Sequence, residues 1–131
     1  GKFKMTKSDT VLFGFNRKSL SDEAKAQLDT FVQSLDGVNR YVVEIQGFTD
    51  KTGSPIANEQ LSQARAAAVA RYLANEHKIP VRSITTLGSG YALPVADDKT
   101  REGRKQNRRV EVRLFVPEAI QPSNTIAAAQ E

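Results

Sequence analysis

The stretch Tyr41–His77 reads Y-V-V-E-I-Q-G-F-T-D-K-T-G-S-P-I-A-N-E-Q-L-S-Q-A-R-A-A-A-V-A-R-Y-L-A-N-E-H, and its two halves follow different rules. Arg40–Phe48 is mostly apolar and rich in β-branched residues, the pattern of a strand near the centre of a sheet. Thr49–Pro55 carries turn residues. From Pro55 to His77 the chain follows helical periodicity, gathering Ala57, Leu61, Ala64, Ala68, Val69, Tyr72 and Leu73 on one apolar arc. A central strand that runs through a turn into a long one-sided helix predicts helices layered on a sheet.

One residue breaks that arc. Arg65 falls near its middle, between Tyr72 and Val69, where a core-facing helix carries an aliphatic side chain. An unpaired buried guanidinium is costly, so the position demands a fixed anionic partner or a ligand. Asp50, at the end of the strand, is the nearest upstream candidate. Two readings stand side by side. The pair forms an internal salt bridge, or it lines a cleft that takes the carboxylate and ammonium of an amino-acid head group. On the second reading, alanine at either position abolishes binding and leaves the fold intact. Asn58 and Ser62 lie toward the same N-terminal end of the helix, where free N–H groups and the helix dipole favour an anion.

Working outward, Thr10–Phe15 reads as a strand, and Phe13, Phe15 and Phe48 as core aromatics. Ser21 caps a helix that carries Ala26, Leu28, Phe31, Val32 and Leu35 and closes at Gly37 and Asn39. Ser83–Leu87 is a short strand, Tyr91–Gln106 a long polar loop, and Arg108–Val116 a strand of clean alternation. The order is βαβαββ. It predicts an α/β (α+β) two-layer sandwich, a mixed four-stranded sheet with two main helices on one face. Residues 1–9 read as an N-terminal linker, 10–116 as the domain and 117–131 as a flexible C-terminal tail.

The chain has 131 residues, no cysteine, one histidine and a net charge of +4. That length supports one domain without disulfides. A lone His77 without cysteine argues against nucleophilic triads and transition-metal sites. Asp97-Asp98 and Gly88-Ser89-Gly90 match no catalytic or phosphate-binding pattern. Between Lys99 and Arg113 seven basic residues stand against two acidic ones, a segment that suggests an anionic partner at one face.

Several spaced motifs agree in order: G-F-T-D at Gly47–Asp50, Asn58, L-S-x-x-R-A at Leu61–Ala66, V-x-x-Y-L at Val69–Leu73, G-x-G at Gly88–Gly90 and E-G-R-x-x-N-R-R-V-E at Glu102–Glu111. Together they resemble the OmpA-like peptidoglycan-binding domain, found at the C-termini of OmpA-type porins, peptidoglycan-associated lipoproteins and flagellar stator proteins. The chain departs from the common pattern at Gly14, where many members carry aspartate, and at Phe48, where many carry histidine or tyrosine. The resemblance implies a periplasmic domain of a cell-envelope protein that holds the diaminopimelate residue of peptidoglycan non-covalently. It implies that Asp50 takes the ligand ammonium and Arg65 its carboxylate. Asn58, Leu61 and Ser62 would line the helix side, Asn16 would close the pocket, and Arg108 would add charge at the rim, while Arg109 has a structural role. The expectation is therefore a non-catalytic wall anchor that needs no cofactor, metal or nucleic acid. Membrane contact would come through other segments of the parent protein, and a homodimer through that parent stays open. The alternative is a polyanion-binding domain that uses the basic segment for nucleic acid or anionic lipid.

Overall fold

The computed structural model describes residues 2–118. Its elements are β1 (Phe3–Leu12), α1 (Asp22–Gln33), β2 (Val42–Gly47), α2 (Pro55–His77), β3 (Ile84–Gly88), α3 (Arg101–Asn107) and β4 (Arg109–Pro117), with a single 3-10 turn at Val81–Ser83. The strands form one mixed sheet in the order β1-β4-β2-β3. β4 runs antiparallel to both β1 and β2, whereas β2 and β3 are parallel and joined by α2 as the crossover. The α/β two-layer architecture is as the sequence predicts.

Each main helix starts where its sequence says it should. The Ser21 hydroxyl accepts from Ala24 N–H at 3.0 Å, and the Ser54 hydroxyl accepts from Ala57 N–H at 3.1 Å ahead of Pro55. α2 ends at Lys78, whose left-handed backbone (φ 57°) lets its N–H reach the Leu73 carbonyl. The core forms where Val43, Ile45, Val110, Val112 and Leu114 of the sheet meet Leu28, Phe31, Ala66, Val69 and Leu73 of the helices. The apolar arc of α2 is thus centred on Ala66, Val69 and Leu73, and Ala57 is exposed. The opposite sheet face is polar. There Arg113 bridges Glu44 at 2.9 Å and Glu111 at 2.6 Å, and also donates to Gln46.

Three expectations are corrected. β1 begins at Phe3, not Thr10, so most of the stretch read as a linker over residues 1–9 is an edge strand paired with β4 as far as Pro117. Its side chains are largely exposed and mostly polar, so only backbone pairing reveals it. The loop expected over Tyr91–Gln106 contains α3, seven residues with no apolar stripe. α3 is held by caps and by a buried asparagine instead of by hydrophobic periodicity. The Thr100 hydroxyl accepts from Gly103 N–H at 2.9 Å, while Asn107 Oδ1 accepts from Val95 and Ala96 N–H at 2.8 and 3.1 Å. Finally, α1 stops at Gln33, before the Gly37 turn. Of the expected tail over 117–131, Pro117 closes β4, and everything past Glu118 lies outside the described residues.

A close approach positions the site. A Cβ on Gly47 would sit 2.0 Å from the Ser62 carbonyl oxygen, so only glycine lets α2 lie directly on the end of β2. This contact brings the first turns of α2 beside the residues that follow β2, Phe48–Asp50.

Candidate functional site

Three chain segments meet beyond that contact: the turn after β1, the end of β2, and the first turns of α2. With Arg108, the C-cap of α3, they enclose a cavity of about 270 Å³. Asn16, Asp50, Asn58, Leu61, Arg65 and Arg108 all line it. Ser62, expected among them, does not. Its hydroxyl is fully buried and spent within the fold, donating to the Glu59 carbonyl at 2.7 Å and accepting from Gly90 N–H at 2.8 Å.

Arg65 is fully buried, yet no carboxylate among the described residues lies within 4 Å of it. Its partners are backbone. Nε donates to the Arg17 carbonyl at 2.8 Å, Nη1 to Phe48 at 2.9 Å and Nη2 to Gly14 at 3.2 Å. The Phe13 ring lies 5.3 Å from the guanidinium carbon. A guanidinium carries five N–H donors, so one remains unspent on each terminal nitrogen. Burial pulls its pKa down to about 10, with the Asp50 charge opposing and the Arg108 charge assisting that fall. It remains a cation at neutral pH. Neither sequence reading foresaw this arrangement: Arg65 staples the turn after β1 to the end of β2, and it lines the cavity between them.

Asp50 pairs with Arg108 instead, Oδ2 to Nη1 at 3.2 Å, while its Oδ1 accepts from Thr52 N–H at 2.9 Å. Burial pushes this carboxyl up, but the bonds from Thr52 and Arg108 and the Arg108 charge outweigh it and hold the group below its ordinary 3.8. Thr52 reaches this carboxylate through both its backbone and its side chain, and Arg108 through Nη1. Arg108 Nε is fixed by the Phe13 carbonyl at 3.2 Å.

Two polar atoms in the cavity wall are orphaned. Asn58 Nδ2 and Thr49 Oγ1 are buried and have no hydrogen-bond partner. Buried amides and hydroxyls are nearly always satisfied in folded proteins, so two unspent groups on residues that line one cavity mark a candidate place for a ligand. A larger concavity of about 660 Å³, lined by Lys18, Ser19 and Leu20 ahead of α1, by Lys25 and by residues of α2, shares no residue with this one and holds neither orphan.

The sequence reading missed Phe15, Thr49, Thr52, Gly53 and Ala57 as cavity residues. Thr49 lay in plain view inside G-F-T-D. Phe15 continues the alternation of Val11 and Phe13 and so reads as core. The chain instead turns after Gly14, with Arg17 N–H donating to the Gly14 carbonyl at 3.1 Å, and Phe15 stands 62% exposed at the rim. Arg109 is buried, 3.8 Å over the Phe48 ring, and donates to Glu111 at 2.7 Å and to the Leu93 carbonyl at 2.9 Å. His77 does not line the cavity; it bridges α2 to Asp29 of α1 at 2.7 Å. Among the described residues no group of three His, Cys, Asp or Glu side chains is placed to hold a metal.

The chain is similar to proteins of known kind. The outer membrane protein Omp38 of Acinetobacter baumannii is 37% identical over 100 residues, which cover 76% of this chain and 28% of that protein. The chain thus spans little more than a quarter of that curated relative. Among solved structures, the peptidoglycan-associated lipoprotein from Burkholderia pseudomallei superposes with a TM-score of 0.74 at 30% identity, covering 80% of this chain and 88% of that one. The cell wall anchor of the T6SS from Pseudomonas aeruginosa gives 0.71 at 29% identity, covering 88% of each. The family model described as OmpA matches residues 12–108, which hold β2 and β3, both main helices and every residue that lines the cavity, and on that match the chain belongs to the OmpA family.

Proposed function

We propose that this domain binds peptidoglycan and anchors a cell-envelope protein to the wall from the periplasmic side, gripping the free amino-acid end of diaminopimelate in the stem peptide. Relatives named as an outer membrane protein, a peptidoglycan-associated lipoprotein and a cell wall anchor support the envelope role. One observation carries the finer reading. An ionised Asp50, Arg65 with two N–H groups unspent, and Asn58 with an orphaned amide all line the one cavity. An ammonium suits the Asp50 carboxylate, and a carboxylate suits the guanidinium of Arg65 and the amide of Asn58. Binding of this kind needs no bond making or breaking, and the module acts as a tether, not a catalyst.

Lysine in the same stem position offers the ammonium without the carboxylate, leaving Arg65 and Asn58 unsatisfied. That omission costs a few kcal/mol, or roughly a hundredfold in affinity. Calorimetry with soluble meso-diaminopimelate and with lysine tests this, alongside retention on purified walls of each chemotype. Equal affinity for the two would remove Arg65 from the ligand's carboxylate. A polyanion reading of the basic segment is second, because Arg109 and Arg113 are spent on Glu111 and Glu44.

A further inference from the structure

α3 builds a second concavity against the first. A groove of about 600 Å³ is lined by Phe15, Arg101, Glu102, Arg104, Lys105 and Arg108. Phe15 and Arg108 also line the cavity at Asp50 and Arg65, so the two share a wall. Four cations and one carboxylate line it; Arg108 is already paired with Asp50, whereas the donors of Arg101, Arg104 and Lys105 are largely unspent. Arg104 Nη1 donates to the Asp98 carbonyl at 3.0 Å, and Lys105 meets Glu102 only at 3.9 Å, with side chains 57% and 80% exposed. Arg101 is exposed and makes no ion pair or side-chain hydrogen bond among the described residues. The excess positive charge of the Lys99–Arg113 segment is therefore concentrated in this groove.

The frame under these charges is rigid. Gly103, in the middle of α3, would carry its Cβ 1.7 Å from the Asp97 carbonyl oxygen, so helix and loop are in direct backbone contact. Asn107 ties the far end to the same loop through Val95, Ala96 and Asp98. Cations held on such a frame beside a ligand cavity recognise charge without a large ordering cost.

We propose that this groove is a second subsite, one that takes a free carboxylate of the same stem peptide whose diaminopimelate end fills the cavity. The proposal rests on the function given above. Because the two concavities share Phe15 and Arg108, a stem peptide whose diaminopimelate side chain enters the cavity lays its neighbouring residues along the adjoining groove. The stem carries two candidate carboxylates, the α-carboxylate of its γ-linked glutamate and the peptide's own C-terminus. Phe15, exposed on the shared wall, offers an apolar surface to the chain between. A shared wall with a head-group cavity favours one ligand spanning both over a separate polyanion.

The test is calorimetry at low and physiological salt with meso-diaminopimelate and a synthetic stem tetrapeptide. The peptide is used with both carboxylates free, with the glutamate amidated, and with the C-terminus amidated. One amidation is expected to weaken binding by about fivefold, more at low salt, the scale of a part-exposed ion pair, and it names the carboxylate in the groove. The double variant Arg101→Gln/Lys105→Gln, changed only at exposed positions, should lose the same factor for the free acid. It should also stop distinguishing acid from amide and bind diaminopimelate as before. Normal diaminopimelate binding, with no effect of either amidation or of the variant on the tetrapeptide, would overturn the subsite and leave the proposed function standing. Absence of diaminopimelate binding would overturn both. A DNA duplex that binds the wild type and not the variant, with the tetrapeptide unaffected, would assign the groove to a polyanion and overturn the subsite as well.

Discussion

Arg65 donates to carbonyls at Gly14, Arg17 and Phe48, on either side of the cavity, from one planar group. A lysine keeps the charge but offers one nitrogen, which cannot span three acceptors held in a fork. Arg65→Lys is therefore expected to cost about 3 kcal/mol in urea melts and to lose the ligand as well. This replaces the expectation that removing Arg65 spares the fold. Asp50→Asn is the contrasting change, since the amide oxygen still accepts from Thr52; binding should vanish for about 1 kcal/mol of stability or less. Because the folded state holds the Asp50 carboxyl below its ordinary 3.8, its ionised form favours folding. That contribution is complete above the ordinary value and is lost as pH falls through the lower folded one. The melting-temperature gap between wild type and Asp50→Asn should stay constant from about pH 7 to about pH 5 and close below about pH 4. A gap that instead closes near neutrality would mean the carboxyl is raised, not lowered.

At the scale of elements, the packing of α2 on β2 sets the site. Asn58 and Arg65 belong to α2, whereas Thr49 and Asp50 follow β2, and Gly47 is where the two elements touch. Gly47→Ala places a methyl 2.0 Å from backbone that cannot rotate away, so the helix must lift. Overpacking of this kind costs about 1–3 kcal/mol. Ligand affinity should fall with it, because the lift separates Arg65 from the Phe48 carbonyl. Chemical denaturation and calorimetry on this variant check both; a wild-type affinity with lowered stability would detach the site from the helix position. α3 shows the opposite dependence. It is short, and one asparagine and one threonine cap hold it where no apolar face does.

For the whole molecule, the sheet closes on β1. β4 is paired on both sides, and its outer neighbour is the strand whose first residues resemble a linker. Removing residues 1–9 would strip the outer half of β4 of its partner and leave backbone N–H and C=O groups as an open edge. The truncated chain is expected to melt well below the full one and to associate in size-exclusion chromatography. An unchanged monomeric melt would restore the linker reading.

The periodic elements and the odd residue among them were legible in the sequence alone. The Ser21 cap, the apolar β2, the alternation of β4 and the misplaced Arg65 are local signals, because caps, strand pleat and helical period act over a few residues. The motif pattern that marks the family is likewise written in chain order. What only the tertiary structure decided are pairings across long separations. Arg108, not Arg65, lies against Asp50, because Arg65 is held by carbonyls 48 and 51 positions away. Ser62 faces Gly90 instead of the cavity, and Phe15 leaves the core after the turn at Gly14. β1 extends to Phe3 because β4 offers it a backbone edge, and backbone hydrogen bonds carry no side-chain signature. A guanidinium's need for acceptors can be read from one residue's position, but which acceptors meet it depends on which loops the fold brings there.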